Sequence, residues 1–189
     1  MIRLGIIGDI GSGKTFVANN FGYTVFNADL EVAKIYKKDK KVFLKLKNKL
    51  PKYITRFPVD KNEITNAILY DEKNLKKIIN IVHKEVRKKL SLFLKKNKNQ
   101  KIVILDIPLL IENKICNKND LLIFVDSKKK DIDKRIKKRP NFNSKLLSIF
   151  KKNQLSPSFK KKKSHFIIKN TFTKKPVKNE IIKIINKIL

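Results

Sequence analysis

The sequence has almost no cysteine and no long apolar run. It contains one cysteine and no tryptophan in 189 residues, and a single cysteine excludes an internal disulfide framework and a cysteine-rich zinc site. No apolar run approaches the ~20 residues that a membrane-spanning helix needs, and no signal peptide precedes the first strand-like segment. We therefore expect a soluble, cytoplasmic protein with one domain.

Negative charge is also scarce. Lys and Arg number 47 against 16 Asp and Glu, a formal net charge of +31. Such an excess is typical of proteins that bind nucleic acid or anionic membranes. However, only 5 residues are arginines, although surfaces that grip phosphates favour the bidentate guanidinium. We interpret the lysine-rich stretches, 160–163 among them, as solvated helix faces in a chain shaped by A/T-rich codon usage.

Short apolar runs alternate with helix-patterned segments. The runs at 2–7, 24–26, 102–106, 121–126 and 166–168 are typical of buried parallel strands. Helices are predicted at 14–21, after 29, across 60–97 with a break near Tyr70, on both sides of Pro140, and at 179–189. The alternation predicts an α/β fold with a central, mostly parallel five-stranded sheet, which would bind its ligand beyond the carboxyl ends of the strands.

A glycine-rich loop joins the first predicted strand to the first predicted helix. Residues 8–15 read GDIGSGKT and match the pattern G-x-x-x-x-G-K-[ST]. In such a loop the backbone N–H groups surround phosphate oxygens, Lys14 neutralises phosphate charge, and the Thr15 hydroxyl ligates Mg²⁺. The alternative is a glycine-rich turn with an incidental lysine, which the flanking strand and helix disfavour.

Other polar residues lie where a phosphoryl-transfer site would need them. Asp29 follows the second strand and could accept the proton of an attacking hydroxyl, or it could cap the helix that follows. Asp106 ends the third strand, where P-loop proteins hold Mg²⁺, or it could form a turn. Arg135 and Arg139 are four residues apart, and we expect them to share a helix face that either clamps phosphates or is merely solvated.

Together these residues resemble the dephospho-coenzyme A kinase family, which belongs with the nucleoside monophosphate kinase-like P-loop enzymes. The resemblance covers nearly the whole chain, and its most specific stretch is LDIPLLIEN at 105–113. Its other elements are the P-loop, the Asn27-Ala28-Asp29 turn, Asp60-Lys61, His83, Arg135, Arg139, Gln154 and Asn170.

The resemblance implies a reaction and a set of site residues. ATP would phosphorylate the ribose 3′-hydroxyl of dephospho-CoA, the final step of coenzyme A synthesis, with Mg²⁺ as cofactor. Asp29, Lys14 and Arg135 would be catalytic, with Asp29 as the base. The implied ATP contacts are Gly11, Ser12, Gly13, Lys14, Thr15, Phe16 and Arg139; the acceptor contacts are Asp29, Lys61, His83, Pro108 and Leu109; the metal ligands are Thr15 and Asp106.

The resemblance also implies how the chain is divided. A three-layer P-loop core would comprise residues 1–31, 98–136 and 164–189, with a helical insert for coenzyme A at 32–97 and a short helical lid at 137–163. We expect a monomer or weak homo-oligomer that needs no nucleic acid and no membrane.

Several residues depart from the family pattern. Asp9 stands at a common loop glycine, Asn27 at the first aspartate of a D-A-D turn, Lys61 at an arginine and His165 at an aspartate. None of these changes removes an essential group, but together they would permit a slower enzyme.

Two other functions stay open from the sequence alone. One is a kinase for a different small acceptor, such as a nucleoside or nucleotide. The other is a nucleic-acid-binding ATPase or a basic RNA-binding module, which would account for the net charge directly. Against it, the chain has no aromatic-interleaved basic strand and no recognisable RNA-binding motif.

Overall fold

The computed structural model describes residues 1–140 and 142–189. Its strands are β1 Ile2–Gly8, β2 Thr24–Asn27, β3 Ile102–Asp106, β4 Leu121–Asp126 and β5 Phe166–Lys169. Its helices are α1 Lys14–Asn20, α2 Ala28–Lys38, α3 Lys40–Lys49, α4 Lys61–Tyr70, α5 Lys73–Lys96, α6 Lys129–Lys137, α7 Ser144–Lys152, α8 Pro157–Lys163 and α9 Lys174–Ile188. Residue 141, which falls in the predicted lid, lies outside the described residues.

The chain forms two compact units. The first contains Met1–Asn27, Asn97–Phe142 and Asn153–Leu189, and the second contains Ala28–Lys96 and Asn143–Lys152. The first unit holds the sheet, and the second contains helices and connecting turns but no strand among its described residues. Within the described ranges, no helix is both long and apolar enough to cross a membrane.

The sheet of the first unit has the strand order β2-β3-β1-β4-β5, and every adjacent pair is parallel. The predicted α/β fold with a five-stranded parallel sheet is therefore confirmed. The register pairs Asp106 with Asn27 on one side and with Ile6 on the other. Because parallel strands end at the same edge, β1 leads into its loop beside the polar ends of β2 and β3.

Helices α1 and α9 cover one face of this sheet. Val17 and Ala18 of α1, Phe21 directly after it, and Val177 and Ile181 of α9 join the strand residues in one hydrophobic cluster. The strand members of the cluster are Leu4, Ile6, Ile102, Ile104, Ile123, Val125 and Ile168. Residues that alternate with these along the strands are buried as well, among them Ile7, Val103, Leu105 and Phe124. Burial on both faces accounts for the near-continuous apolar strands.

The second unit is organised around α5, which has 24 residues. Its buried apolar residues, at three- and four-residue spacing, are Leu75, Ile78, Val82, Val86 and Leu90. Helices α2, α3 and α4 pack against α5. The buried Asn74 side chain donates to the Ala67 carbonyl at 2.9 Å and thereby ties α5 to α4. The predicted break near Tyr70 is confirmed, because α4 ends at Tyr70 and α5 begins at Lys73.

One helix boundary differs from expectation, and one helix start agrees with it in part. Helix α9 begins at Lys174 rather than at 179, with Pro176 inside its first turn, where proline is tolerated because the first N–H groups have no intrahelical acceptor. In sequence, Asp60 with Glu63 three residues on resembles a helix-start box. Asp60 does cap α4, its carboxylate accepting from the Asn62 N–H at 2.8 Å, but Glu63 instead accepts from the backbone N–H and hydroxyl of Thr55.

Candidate active site

The glycine-rich loop begins at the end of β1 and continues into α1. Its turn is closed by a hydrogen bond from the Ser12 N–H to the Asp9 carbonyl at 3.1 Å. Gly13 has a φ of 87°, and a Cβ atom there would lie 2.4 Å from Nδ2 of Asn170. Both the positive φ and the close approach require glycine at this position.

The loop is also held by residues that lie far along the sequence. The Ser12 carbonyl accepts hydrogen bonds from Asn170 Nδ2 at 2.7 Å and from Ser127 Oγ at 2.9 Å. Asn170 follows β5 and is 3% exposed, and its Oδ1 accepts from the Phe172 N–H at 2.9 Å. The Ser12 hydroxyl is buried and has no hydrogen-bond partner among the described residues. The backbone around Ser12 is therefore held by residues that follow β4 and β5.

Lys14 lies at the first position of α1 with its ammonium turned back onto the loop. Its Nζ donates to the Asp9 carbonyl at 2.8 Å and to the Gly8 carbonyl at 3.2 Å. Carbonyl oxygens are neutral acceptors, whereas phosphate oxygens carry charge and form stronger, charge-assisted bonds. Lys14 can therefore exchange these loop contacts for contacts to a bound phosphate.

Asp106 forms the acidic part of the site. Its Oδ2 accepts from the Thr15 hydroxyl at 2.6 Å and from Asn27 Nδ2 at 2.7 Å, and the residue is 3% exposed. The Asn27 amide, which replaces a carboxylate of the family pattern, is thus a donor that orients Asp106. The position of Asp106 at the end of β3 is as predicted.

The chemistry of Thr15 and Asp106 suits Mg²⁺. This ion prefers oxygen ligands, keeps several waters, and usually takes only one or two protein groups together with substrate phosphates. A hydroxyl and a carboxylate that already meet at 2.6 Å provide such a pair. In the described ranges no group of three or more His, Cys, Asp or Glu residues could hold a metal by itself.

The prediction that Arg135 and Arg139 share a helix face is wrong. Arg135 lies in the last turn of α6, and its guanidinium is 4.1 Å from the centroid of the Phe172 ring, a distance typical of a cation–π contact. Helix α6 ends at Lys137, so Arg139 lies beyond it. The reason is Pro140, because the residue before a proline is disfavoured in the helical conformation.

The lysine run 160–163 was expected to be solvated, and for its first member this was wrong. The Lys160 side chain is 2% exposed, whereas Lys161, Lys162 and Lys163 are exposed. The Lys160 ammonium lies against Gly8, Asp9 and Glu112. The helix geometry of α8 accounts for the difference, because only one residue of a four-residue run faces the interior fully.

Three predicted site residues lie in the second unit. Asp29 is exposed and is the second residue of α2, so it lies within the first turn rather than before the helix. Lys61 is the exposed first residue of α4. His83 is partly exposed in α5, and burial, assisted by the charge of Arg87, lowers its pKa below 6.5. His83 is therefore mainly neutral at pH 7.

The remaining predicted residues lie in the first unit. Pro108 and Leu109 are partly exposed in the turn after β3, and Leu109 has a φ of 58°. The partly buried Phe16 side chain packs against the hydrophobic core. Gly11 lies in the loop with a φ of 85°.

Some residues of this region were not predicted as site residues. Asn170 could have been found as a polar residue at the end of a strand, because Asp29 and Asp106 were predicted from that kind of position. Ser127 also follows a strand, but a lone serine gives little indication of its partner. Phe172 has a φ of 62°, which no feature of the sequence reveals. Lys160 is indistinguishable in sequence from the lysines that follow it.

Comparisons with known proteins agree with this geometry. A family model described as dephospho-CoA kinase matches residues 2–175. A dephospho-CoA kinase of Wolbachia pipientis wMel is 32% identical over 188 residues, which cover 97% of this chain and 96% of the relative.

Solved structures share the fold. A Thermus thermophilus protein solved as TT1252 superposes with a TM-score of 0.78 and 23% identity, over 100% of this chain and 98% of that chain. Dephospho-CoA kinase from Campylobacter jejuni superposes with a TM-score of 0.61 and 24% identity, over 98% of this chain and 96% of that chain.

The family expected from the sequence is confirmed by the extent of these matches, since they run from β1 to α9 and include the loop, Asp106 and Asn170. The chain therefore belongs to the dephospho-CoA kinase family, the kinases that phosphorylate dephospho-CoA with ATP in coenzyme A biosynthesis.

Proposed function

We propose that this chain transfers the γ-phosphoryl group of ATP to the ribose 3′-hydroxyl of dephospho-CoA with the residues described above. The main support is the contact of Thr15 with Asp106 at 2.6 Å beside the glycine-rich loop. It joins a hydroxyl that follows the P-loop lysine to a carboxylate at the end of a neighbouring strand, which is the arrangement that phosphoryl transfer with a metal nucleotide requires.

The ATP phosphates are bound by the loop. The backbone N–H groups of Gly11, Ser12, Gly13, Lys14 and Phe16 surround the phosphate oxygens, and the Lys14 ammonium leaves the Gly8 and Asp9 carbonyls to neutralise charge there. Thr15 and Asp106 hold Mg²⁺, which, when bound, neutralises the charge of the phosphate oxygens.

Asp29 accepts the proton of the attacking hydroxyl. Its exposed carboxylate lies in the first turn of α2, two residues after Asn27, and a carboxylate at such a position can act as a general base. Arg135 stabilises the transferring group and Arg139 binds ATP. Arg135 must turn away from the Phe172 ring to do so. Of the lid segment 137–163, the part before α8 closes over the site, while Lys160 in α8 keeps its contact with the Gly8 carbonyl.

The acceptor is bound by residues outside the loop. Lys61 offers a cation for the phosphates of dephospho-CoA, and His83 is neutral at pH 7 and can therefore donate or accept a hydrogen bond. Pro108 and Leu109 supply an apolar contact, and the insert 32–97 receives the coenzyme. We further propose that the enzyme works in the cytoplasm as a monomer or weak homo-oligomer, with only small molecules as substrates.

The test is ATP-dependent conversion of dephospho-CoA to coenzyme A by the purified full-length chain with Mg²⁺. We expect Lys14→Ala and Asp29→Asn each to lower kcat by about 10²–10⁴, the range for loss of a catalytic proton acceptor or of a charge-stabilising group. Adenosine and AMP are the control acceptors and should not be phosphorylated. ATP binding without conversion of dephospho-CoA, or equal use of AMP, would contradict the acceptor assignment.

A further inference from the structure

The first observation is a buried charge beside the phosphate loop. Lys160 in α8 is 2% exposed, and its Nζ lies 3.4 Å from the Gly8 carbonyl oxygen. The same ammonium is 3.5 Å from Asp9 Oδ1 and 3.7 Å from Glu112 Oε1. An ammonium is removed from water at a large cost unless charges and acceptors replace the water. Two carboxylates and a carbonyl do so here.

The second observation is that two lysines share one carbonyl. The Gly8 oxygen accepts from Lys14 at 3.2 Å and from Lys160 at 3.4 Å. When Lys14 turns towards the ATP phosphates, it gives up this contact. Lys160 comes from a different segment and needs no such movement, so it remains as a donor to the first carbonyl of the loop.

The third observation is the carboxylate that this chain carries in the loop itself. Asp9 is partly exposed, with its side chain 35% accessible, in a loop built to receive anions. Like charges at short range repel, and the repulsion grows as water is excluded by a bound ligand. The ammonium of Lys160 offsets the charge of Asp9 at 3.5 Å.

Glu112 completes the arrangement. Its Oε1 lies 3.7 Å from Lys160 Nζ and also accepts from the Leu155 N–H at 3.1 Å. Leu155 begins the turn that leads into α8. Glu112 therefore contacts both the ammonium and the backbone that precedes its helix, which fixes where Lys160 enters the cluster.

We infer that Lys160 is a positioning residue for the phosphate loop: it neutralises Asp9 and holds the Gly8 carbonyl while Lys14 binds the ATP phosphates. The inference rests on the proposed function only in that ATP is the ligand of the loop. Lys160 itself does not touch the reacting atoms.

The test combines variants at both ends of the Asp9–Lys160 pair. The variants are Lys160→Met, Asp9→Asn, the double variant and Lys160→Arg. For each, calorimetry measures the binding of ATP with Mg²⁺, and turnover assays measure kcat and the KM for each substrate. We expect Lys160→Met to weaken ATP binding about tenfold, a size typical of coupling between contacting groups. Addition of Asp9→Asn should restore most of that loss, because the unpaired carboxylate is then absent.

Two further comparisons separate positioning from a general structural role. KM for dephospho-CoA should stay within about twofold in Lys160→Met, whereas a global distortion would change both KM values and kcat. Lys160→Arg should keep most of the affinity because the charge is retained. Lys162→Met removes an exposed lysine of the same helix and should bind ATP like the wild type.

The inference is overturned if Lys160→Met binds ATP as the wild type does, or if Asp9→Asn fails to restore the lost affinity. If Lys160→Met does not fold, Asp9→Asn alone decides. Without the Asp9 charge, Lys160 is paired with Glu112 alone and the cluster is neutral instead of negative. ATP should then bind about threefold more tightly, and equal or weaker binding overturns the inference. If the wild type binds ATP but leaves dephospho-CoA unchanged, the proposed acceptor is wrong, and these affinities still test Lys160.

Discussion

The loop region of the first unit and helix α5 of the second are stabilised in different ways. Around the loop, buried polar groups join residues that are far apart in sequence, such as Asn170 with the Ser12 carbonyl at 2.7 Å. In α5 the buried face is apolar apart from Asn74, and the ion pairs are local and exposed, such as Lys88 with Glu85 at 3.0 Å. Exposed pairs contribute little to stability, whereas a buried polar group must keep its partner. In a chain rich in lysine, burial therefore identifies the polar residues that hold the loop, such as Asn170, better than residue type does.

The largest effect that this comparison predicts is on catalysis. Asp106→Asn should lower kcat/KM about 100-fold or more, because the amide removes the charge that would hold Mg²⁺ with Thr15. The matched control is Asp126→Asn, since Asp126 also ends a strand, β4, but is 37% exposed and pairs with Lys161 at 2.8 Å. It should change kcat/KM by less than about threefold. Equal losses in steady-state assays would show that position at a strand end matters more than burial.

An intermediate effect is expected on stability. Gly13→Ala should lower the free energy of unfolding by about 1–3 kcal/mol more than Gly22→Ala, because both glycines have positive φ but only Gly13 has a neighbour in the way. Around Gly22 no heavy atom lies within 4 Å of the added Cβ, whereas at Gly13 the amide of Asn170 lies at 2.4 Å. Urea unfolding of both variants measures the difference. Equal losses would mean that the contact of Asn170 with the loop does not constrain it.

The smallest effect is expected on the pH dependence of stability, through His83 in α5. Burial, with a smaller contribution from Arg87, lowers the pKa of His83 in the folded state below 6.5. The unfolded chain therefore binds a proton first, and this residue's contribution to stability is full above about pH 6.5 and is lost as the pH falls through that value towards the folded pKa. His83→Gln should flatten the fall in melting temperature between about pH 7.5 and pH 5.5. An unchanged or steeper fall would contradict the assignment.

The sequence predicted the sheet and the position of the loop because both depend on local patterns. Uninterrupted β-branched runs identify strands such as β3, and a glycine-rich pattern of this spacing between a strand and a helix is specific to phosphate-binding loops. The break between α4 and α5 was likewise visible from local composition. These features need no knowledge of which distant residues meet.

The features that sequence reasoning missed depend on contacts across the chain. Lys160 differs from Lys162 only in the direction it faces from α8, and that direction is set by packing on the sheet. Arg139 was placed on a helix face because the four-residue spacing was considered without the effect of Pro140. The partners of the Ser12 carbonyl are 115 and 158 residues away, so no local pattern contains them.

The long-range contacts of Ser12 have a consequence for how much of the chain makes a working loop. The motif itself is complete by Thr15, but the groups that fix its backbone come from Ser127 and Asn170. A fragment that ended before β5 would contain the complete phosphate-binding motif but would lack Asn170, which donates to the Ser12 carbonyl. In this protein the contacts that hold the phosphate-binding loop are therefore complete only when the residue after the last strand is in place.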